Sequence, residues 1–472
     1  MLHKNDLYKP TLHFSPAFGW INDPNGLVYS EGQWHMFYQY YPMDTSWGPM
    51  HWGHAVSQNL VTWEHYPIAL APDELGSIFS GSAIVDKANT TGLFEGKSDA
   101  NLVAFYTASL PRPEISADDF QTQCLAYSTD QGLTWAKYEK NPIVPNPELN
   151  CFRDPKVFWF EQGEHWVMVL THGQSIGIYH SKNLIDWELS SDFGAAEGLH
   201  SQGPWECPDL FPLTAQDGVT KWVMVVGIGD GCYAPGSGTQ YFVGDFDGKK
   251  FTNGNPADKV LWMDYGRDYY ATQSWFNTPD NKRIAISWMS NWRYARNTET
   301  KTFRGIMTLP RECNLTLNEQ GEYILKQSFA ESVTKRFNEK TLQNNIDTCR
   351  IKGKLRLNVG EQIQITLFEE EQPQFIFKRI DKQTISITSD RCYLGSDEVM
   401  HKEFPHNYIS NITNENIENS IDIIVDKGTV ELLFADGTFS MTQLYFPAQL
   451  DTKMQLNDSG QCSIITETFV IS

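Results

Sequence analysis

Three carboxylates in this 472-residue chain sit in turn-like clusters that open apolar runs. Asp23 lies in Asn22-Asp23-Pro24-Asn25-Gly26, Asp154 in Arg153-Asp154-Pro155, and Glu206 in Trp205-Glu206-Cys207-Pro208-Asp209. A residue before proline is pushed out of the helical region toward extended backbone. Asp23 and Asp154 are therefore expected to be extended, each with a side chain that leaves the chain in a fixed direction. Glycoside cleavage needs two carboxyl groups flanking the bond, one ionised and one protonated, and an ionised neighbour raises the pKa of the second acid. Metal binding is the competing use of clustered acids. A magnesium or calcium site would want several oxygen ligands close in sequence or an EF-hand pattern, and neither occurs. No metal and no cofactor are expected.

Residues this far apart need a fold that returns to one axis. Five turn clusters open apolar runs, at Asn22, Phe79-Ser80-Gly81-Ser82, Phe152-Arg153-Asp154-Pro155, Glu206 and Tyr270-Ala271-Thr272. A second pattern interleaves with them: Ser57-Gln58-Asn59-Leu60-Val61-Thr62-Trp63, Ser128-Thr129-Asp130-Gln131-Gly132-Leu133-Thr134-Trp135 and Ser181-Lys182-Asn183-Leu184-Ile185-Asp186-Trp187, with a weaker copy at Gly244–Phe251. Each copy reads as a strand, a polar turn and an aromatic that restarts a strand. The successive steps Ser57 to Ser128, Ser128 to Ser181 and Ser181 to Gly244 are 71, 53 and 63 residues, the size of a four-stranded propeller blade with its loops. Five openings predict five blades. The first strand of each blade lines a propeller's central channel, so Asp23, Asp154 and Glu206 would share one funnel, with Arg153 beside them. Ordinary turns are the plain alternative. Three of the five clusters carry a carboxylate at or beside a proline, which favours a site.

Helical periodicity is almost absent up to Pro310, and runs such as Trp222-Val223-Met224-Val225-Val226 recur. The fold class is all-β. We expect a five-bladed β-propeller over 1–312, a polar linker over 313–340 with a short helix near Lys326–Ser332, and a β-sandwich over 341–472. In the last part, short alternating runs such as Ile363–Leu367, Thr384–Thr388 and Ile421–Val425 follow at hairpin spacing.

Composition excludes several partners. With 58 acidic and 37 basic residues the formal charge is −21, which argues against a nucleic acid or an anionic membrane. Apolar residues make up 40% and aromatic ones 13%, in keeping with a globular β protein that stacks rings on sugar faces. No run approaches a membrane span, and Met1–Asp6 lacks the apolar core of a signal peptide. The chain as written is expected in the cytoplasm, or secreted if its start is processed. The eight cysteines, at 124, 151, 207, 232, 313, 349, 392 and 462, include no Cys-x-x-Cys pair and read as mostly buried thiols. No His-Glu-x-x-His pair, Gly-x-Ser-x-Gly elbow or Gly-rich phosphate loop is present, which counts against zinc proteases, α/β serine hydrolases and common nucleotide enzymes.

At the acid-bearing clusters the sequence resembles glycoside hydrolase family 32, the invertases, levanases and inulinases. Trp20-Ile21-Asn22-Asp23-Pro24-Asn25-Gly26, Phe79-Ser80-Gly81-Ser82, Phe152-Arg153-Asp154-Pro155 and Trp205-Glu206-Cys207-Pro208-Asp209 look like its signature blocks, in family order, and similarity extends to Asp436-Gly437. The resemblance implies a five-bladed propeller followed by a sandwich. It also implies Asp23 as nucleophile, Glu206 as general acid and base, and Asp154 as transition-state stabiliser. Cleavage would proceed through a covalent fructosyl-enzyme with retention, for which carboxyl groups about 5 to 5.5 Å apart are suited. Asn22, Gln39, Trp47, Phe79, Ser80, Arg153, Tyr270 and Trp288 match positions that shape the fructose subsite in similar enzymes. Core packing is the default for Trp47, Phe79 and Trp288 taken singly. Cys207 reads as a packed thiol, since no histidine base is evident in the motif around it. Asp264–Ala271 and Trp288–Ala295 look like microbial levanases, exo-inulinases and related invertases. Departures lie at the rim: Thr107-Ala108 replaces a usual Thr-Gly, and Glu299–Gly305 replaces a Pro-Thr and Trp-Arg pattern.

The expected function is exo-hydrolysis of terminal β-fructofuranosides: sucrose, a phosphorylated sucrose, short fructo-oligosaccharides, levan or inulin. One alternative is a fructosyltransferase using the same intermediate. Another is a fructan-binding protein without catalysis, against which the three intact acids weigh. The expected partner is a small carbohydrate, and no motif speaks to oligomeric state.

Overall fold

The computed structural model describes residues 6–114, 119–340, 346–368, 374–450, 452, 455–458 and 463–471. Five sheets succeed one another along the chain, each built of antiparallel strands taken in sequence order from the axis outward, with Phe303–Arg304 added in parallel beside the first strand of the first sheet. Their innermost strands are Gly19–Ser30, Ser77–Val85, Phe152–Phe160, Trp205–Thr214 and Tyr270–Ser274. These are the five turn-opened runs of the sequence. The interleaved pattern is the turn between the third and fourth strand of a blade. It joins His51–Ser57 to Glu64–Leu70, Phe120–Ser128 to Ala136–Lys137, and Ile176–Ser181 to Glu188–Phe193. Its residue types have a local cause. Ser57 Oγ accepts from the backbone N–H of Leu60 (2.8 Å), and Asn59 Oδ1 accepts from Val61 and Thr62 (2.9 and 2.8 Å). Ser181 and Asn183 repeat these bonds. Side-chain acceptors thus satisfy backbone donors where the chain reverses.

The outer part of the fifth blade corrects the expected linker. Residues 313–340 are not a connector. Arg311–Leu317 and Tyr323–Phe329 pair as a hairpin and add to Tyr270–Ser274 and Arg283–Trp288 as that blade's third and fourth strands. Cys313, Leu315, Leu325 and Phe329 are buried while their neighbours carry the polar character, so the segment is a half-exposed outer pair with period-two alternation. The expected helix shrinks to Glu331–Thr334, and Phe337–Lys340 already belongs to the second domain. Residue 341, where the sandwich was expected to begin, and Cys462 lie outside the described residues.

Two stacked sheets make the second domain. One carries Phe337–Lys340, Ser463–Ile471, Thr348–Arg356, Glu418–Asp426, Thr429–Phe434 and Phe439–Leu444; the other His406–Thr413, Thr384–Arg391, Phe375–Arg379, Gln362–Thr366 and Gln455–Asp458. Ile351, Ile423, Val425 and Leu432 from the first meet Ile365, Phe377, Ile385 and Ile387 from the second in one buried core. The domains are joined by buried charge. Arg311 reaches Glu431 and Asp264 (2.9 Å to the latter), and His13 lies 2.9 Å from both Asp426 and Glu431. Of the cysteines, 124, 207, 232, 313 and 349 are buried, and 151 and 392 are half-buried.

Candidate active site

Each inner strand carries an extra residue near its start relative to its partner, and the first strand has a second one between Asn25 and Val28. The extra residue falls between Ile21 and Pro24, Phe79 and Gly81, Arg153 and Lys156, Glu206 and Asp209, and Tyr270 and Gln273. A bulge of this kind bends a strand and re-aims its side chains. Five such bulges around one axis turn the acids into the funnel. In blades three to five the bulge holds a residue in the left-handed region: Asp154 (φ 65°), Cys207 (φ 50°) and Ala271 (φ 53°). The extended backbone expected of Asp154 is therefore wrong. The bulge outweighs the preference set by Pro155, and non-glycine residues hold such conformations only where surrounding bonds over-determine them. Here Asp154 N–H donates to Thr107 Oγ1 (3.0 Å), and Thr107 in turn donates to Gln123 (2.7 Å).

Asn22, Asp23, Gln39, Trp47, Phe79, Arg153, Asp154, Glu206, Trp292 and Arg296 line one cavity of about 310 Å³. Asp23 is gripped from three sides: it accepts from Ser80 Oγ (2.6 Å), Asn22 Nδ2 (3.0 Å) and Cys207 Sγ (3.3 Å). Asn22 is itself oriented by Trp20 Nε1 (2.8 Å), and Gln39 by its bond to Asn25 (2.9 Å). Asp154 Oδ2 accepts from Cys207 N–H (2.9 Å), so this one residue serves two acids, by its thiol and by its backbone. Glu206 accepts from Arg153 Nη2 (2.7 Å) and from the Tyr270 hydroxyl.

Burial pushes Asp23 above the ordinary carboxylate range; Ser80, Asn22 and Cys207 oppose the shift, and Glu206 adds to it. Asp154 is pushed up to about 7, chiefly by burial, with Arg153 opposing and the charges of Glu206 and Asp23 assisting. The same cluster drives the Cys207 thiol well up, first through burial and then through the neighbouring acids. Cys207 is therefore a protonated donor, not a nucleophile.

Beneath the acids the axis is closed. Lys156 donates to Ser274 O (2.6 Å) and pairs with Asp209 (3.0 Å), while Gln273 donates to the carbonyls of Cys207 and Pro208 (3.0 and 3.1 Å). All four side chains are buried, so the cavity is blind. Among the described residues no cluster of histidine, cysteine or acid is arranged to hold a metal.

Of the expected subsite residues, Asn22, Gln39, Trp47, Phe79 and Arg153 face the cavity. Trp47 stands at the rim, 40% exposed and edge-on to Phe79. Ser80 and Tyr270 act from behind, through Asp23 and Glu206. Trp288 does not reach the cavity; it is fully buried behind Trp292, at 4.7 Å between ring centroids. Trp292 and Arg296 were missed, as was Thr107. Within the Trp288–Ala295 stretch only Trp288 was expected in the subsite, although it is Trp292 that is half-exposed on the cavity.

A blind pocket whose wall bears paired carboxylates and an arginine, at the axis of a propeller joined to a sandwich, defines a glycosidase that takes the end of a chain. Comparison with known proteins places it more narrowly. The model of the glycosyl hydrolases family 32 N-terminal domain matches residues 13–328, and that of the family 32 C-terminal domain residues 322–471. The levanase of Bacillus subtilis (strain 168) is 42% identical over 468 residues, covering 95% of this chain and 68% of that protein. The extracellular exo-inulinase of Aspergillus awamori is 35% identical, covering 96% and 92%. The crystal structure of exo-inulinase from Aspergillus awamori superposes with a TM-score of 0.87 at 31% identity, over 100% of this chain and 99% of that one. A fructofuranosidase from Schwanniomyces occidentalis complexed with fructosylnystose gives 0.86 at 30%, over 99% and 98%. The chain belongs to glycoside hydrolase family 32 and is a β-fructofuranosidase.

Proposed function

We propose that the protein removes terminal β-D-fructofuranosyl units one at a time, with retention, and that Asp23, Glu206 and Asp154 carry the reaction. The Asp23 carboxylate attacks the anomeric carbon as the glycosidic C–O bond breaks, and Glu206 gives its proton to the departing oxygen. Glu206, now ionised, takes a proton from water, whose oxygen attacks the same carbon and frees Asp23. Asp154 and Arg153 hold hydroxyls of the ring while positive charge develops on it.

The observation that carries this reading is a pair of acids, each held by its own set of partners, on one cavity wall. Asp23 receives three donors that favour its ionised form, as a nucleophile needs. Glu206 is held by Arg153 and Tyr270 on the neighbouring blades, where it can hand a proton to a leaving oxygen. The blind floor supports exo action, because a chain can enter only by its end. A cavity of about 310 Å³ lies at the small end of ligand sites and suits one furanose with part of its neighbour.

Glucose and free fructose released from sucrose, measured together, test the reading. Equal amounts are expected. Glucose in excess would mean that sugar acceptors outcompete water. Failure on sucrose, levan and inulin alike would overturn it.

A further inference from the structure

The wall of the cavity has two origins. The fructose side is built by the inner strands, whose bulges are fixed within the propeller. The opposite side is built by Trp292 and Arg296, on a segment with little regular structure of its own: one turn of 3₁₀ helix at Ala295–Asn297, with no side-chain cap, and the two-residue strand Phe303–Arg304. The start of the segment is held by the propeller, where Trp292 N–H donates to Ser237 Oγ (3.0 Å) and the indole packs on Trp20 and Trp288; the stretch just beyond Arg296 is held by the sandwich. Asn297 Nδ2 donates to Asp397 Oδ2 (3.1 Å), and Glu299, one residue beyond Thr298, accepts from the buried Tyr393 hydroxyl. Asp397 N–H donates back to that hydroxyl (3.3 Å), while its Oδ1 caps the helix Glu398–Glu403 through Met400 N–H (2.9 Å).

Underneath, Met289, Tyr294, Phe303 and Ile306 of the propeller share a buried cluster with Tyr393, Met400 and Phe404 of the sandwich. Arg391 lies 3.6 Å over the Phe404 ring and donates to the Tyr294 hydroxyl (2.9 Å), which donates to Asp268 (2.6 Å). The sandwich thus grips the segment through a packed base and two polar ties, within a few residues of Arg296.

We propose that Tyr393 and Asp397 are positioning residues for the leaving-group side of the pocket, holding Arg296 beside Trp292 where the sugar beyond the scissile bond must sit. The inference rests on the β-fructofuranosidase reading above. An exposed arginine offers several donors to sugar hydroxyls, and a half-exposed indole offers a face to a sugar ring. Removing the Tyr393 hydroxyl leaves Glu299 without its donor and loosens the segment, while the acids and the fructose side stay as they are.

The test compares sucrose with β-D-fructofuranosyl fluoride, whose one-atom leaving group does not touch this wall. For Tyr393→Phe the expected result is a KM for sucrose raised about 3- to 10-fold, with kcat and the kcat/KM on the fluoride each within about twofold of wild type. In an Arg296→Ala background Tyr393→Phe should add little on sucrose, because both act through one contact. Asn297→Ala repeats the measurement should Tyr393→Phe lower the Tm. Equal losses on both substrates, an unchanged KM for sucrose, or full additivity with Arg296→Ala would overturn the inference. Wild-type enzyme inert toward both substrates would overturn the functional reading instead.

Discussion

Ser80 Oγ stands 2.6 Å from Asp23 Oδ2, a hydroxyl of the second blade fixing a carboxylate of the first. The extra residue in the Ser77–Val85 strand is what places it there, since Phe79 and Gly81 pair with the adjacent residues Thr107 and Tyr106. A donor on a carboxylate stabilises the ionised form, and this bond opposes the burial that pushes Asp23 upward. Ser80→Ala should therefore raise the Asp23 pKa. Hydrogen bonds to charged groups contribute about 1.5–3 kcal/mol, so the acid limb of the kcat/KM profile should move up by about one to two pH units. The profile itself should be bell-shaped with its optimum on the acid side of neutral. An acid limb that stays in place in Ser80→Ala would show that this bond does not tune Asp23.

Roles of the two reacting carboxylates separate by leaving group. Asp23→Ala and Glu206→Ala should each lower turnover of sucrose by about three to five orders of magnitude. On β-D-fructofuranosyl fluoride, which departs without a proton, Glu206→Ala should recover much of the fructosylation rate and Asp23→Ala none. The burst of fluoride release, followed by electrode, distinguishes them. Equal rates for the two variants on the fluoride would refute the assignment.

A cluster of buried acids that serves catalysis costs stability. Asp154 is held near a pKa of about 7, against about 3.9 in an unfolded chain. The folded state therefore binds more protons than the unfolded one between these values. Stability is fully present at pH 4 and falls as pH rises to 7. Asp154→Asn keeps an acceptor for Cys207 N–H and removes the charge. It should be more stable than wild type by on the order of 4 kcal/mol at pH 8 and nearly equal to it at pH 4, while losing most activity. Thermal unfolding at the two pH values measures this, and a gain at pH 4 as large as that at pH 8 would contradict it.

The inner strands were legible because their physics is local. A turn cluster and an apolar run recur where each blade begins, with a carboxylate at or beside proline in three of the five, and Ser-x-Asn or Ser-x-Asp recurs where a third strand turns into a fourth, with bonds made within four residues. The fifth blade's outer strands were not, because Glu312, Asn314, Lys326 and Ser328 alternate with the buried positions and give the segment the composition of a linker. Asp154 escaped in another way: preference before proline is a property of two residues, whereas its left-handed backbone comes from pairing across a sheet. Arg296 was hidden by distance, since the sandwich contacts that hold the stretch just beyond it come from about a hundred residues further along.

The buried charges between the domains predict an alkaline weakness. His13 lies between Asp426 and Glu431 with all three side chains inaccessible, and Asp426 also accepts from the backbone of Leu12 (2.8 Å) and His13 (3.1 Å). Burial alone would discharge the imidazole, yet the two carboxylates outweigh it and hold its pKa up at about 9. A histidine with a folded pKa above its unfolded value of about 6.5 contributes stability that is fully present below 6.5 and is lost as pH rises through 9. The loss should be on the order of 3 kcal/mol between pH 6.5 and pH 9.5. His13→Gln keeps donors but carries no proton to lose. It should be destabilised at pH 6, where Asp426 and Glu431 are left without a cation between them, and its stability should then be nearly level from pH 6.5 to 9.5. Because Arg311 ties Glu431 to Asp264 across the same boundary, propeller and sandwich should still unfold in one transition. Denaturant melts at pH 6, 8 and 9.5 for both proteins supply the comparison. A wild-type stability as level as that of the variant would show that the imidazole between the two carboxylates is neutral throughout.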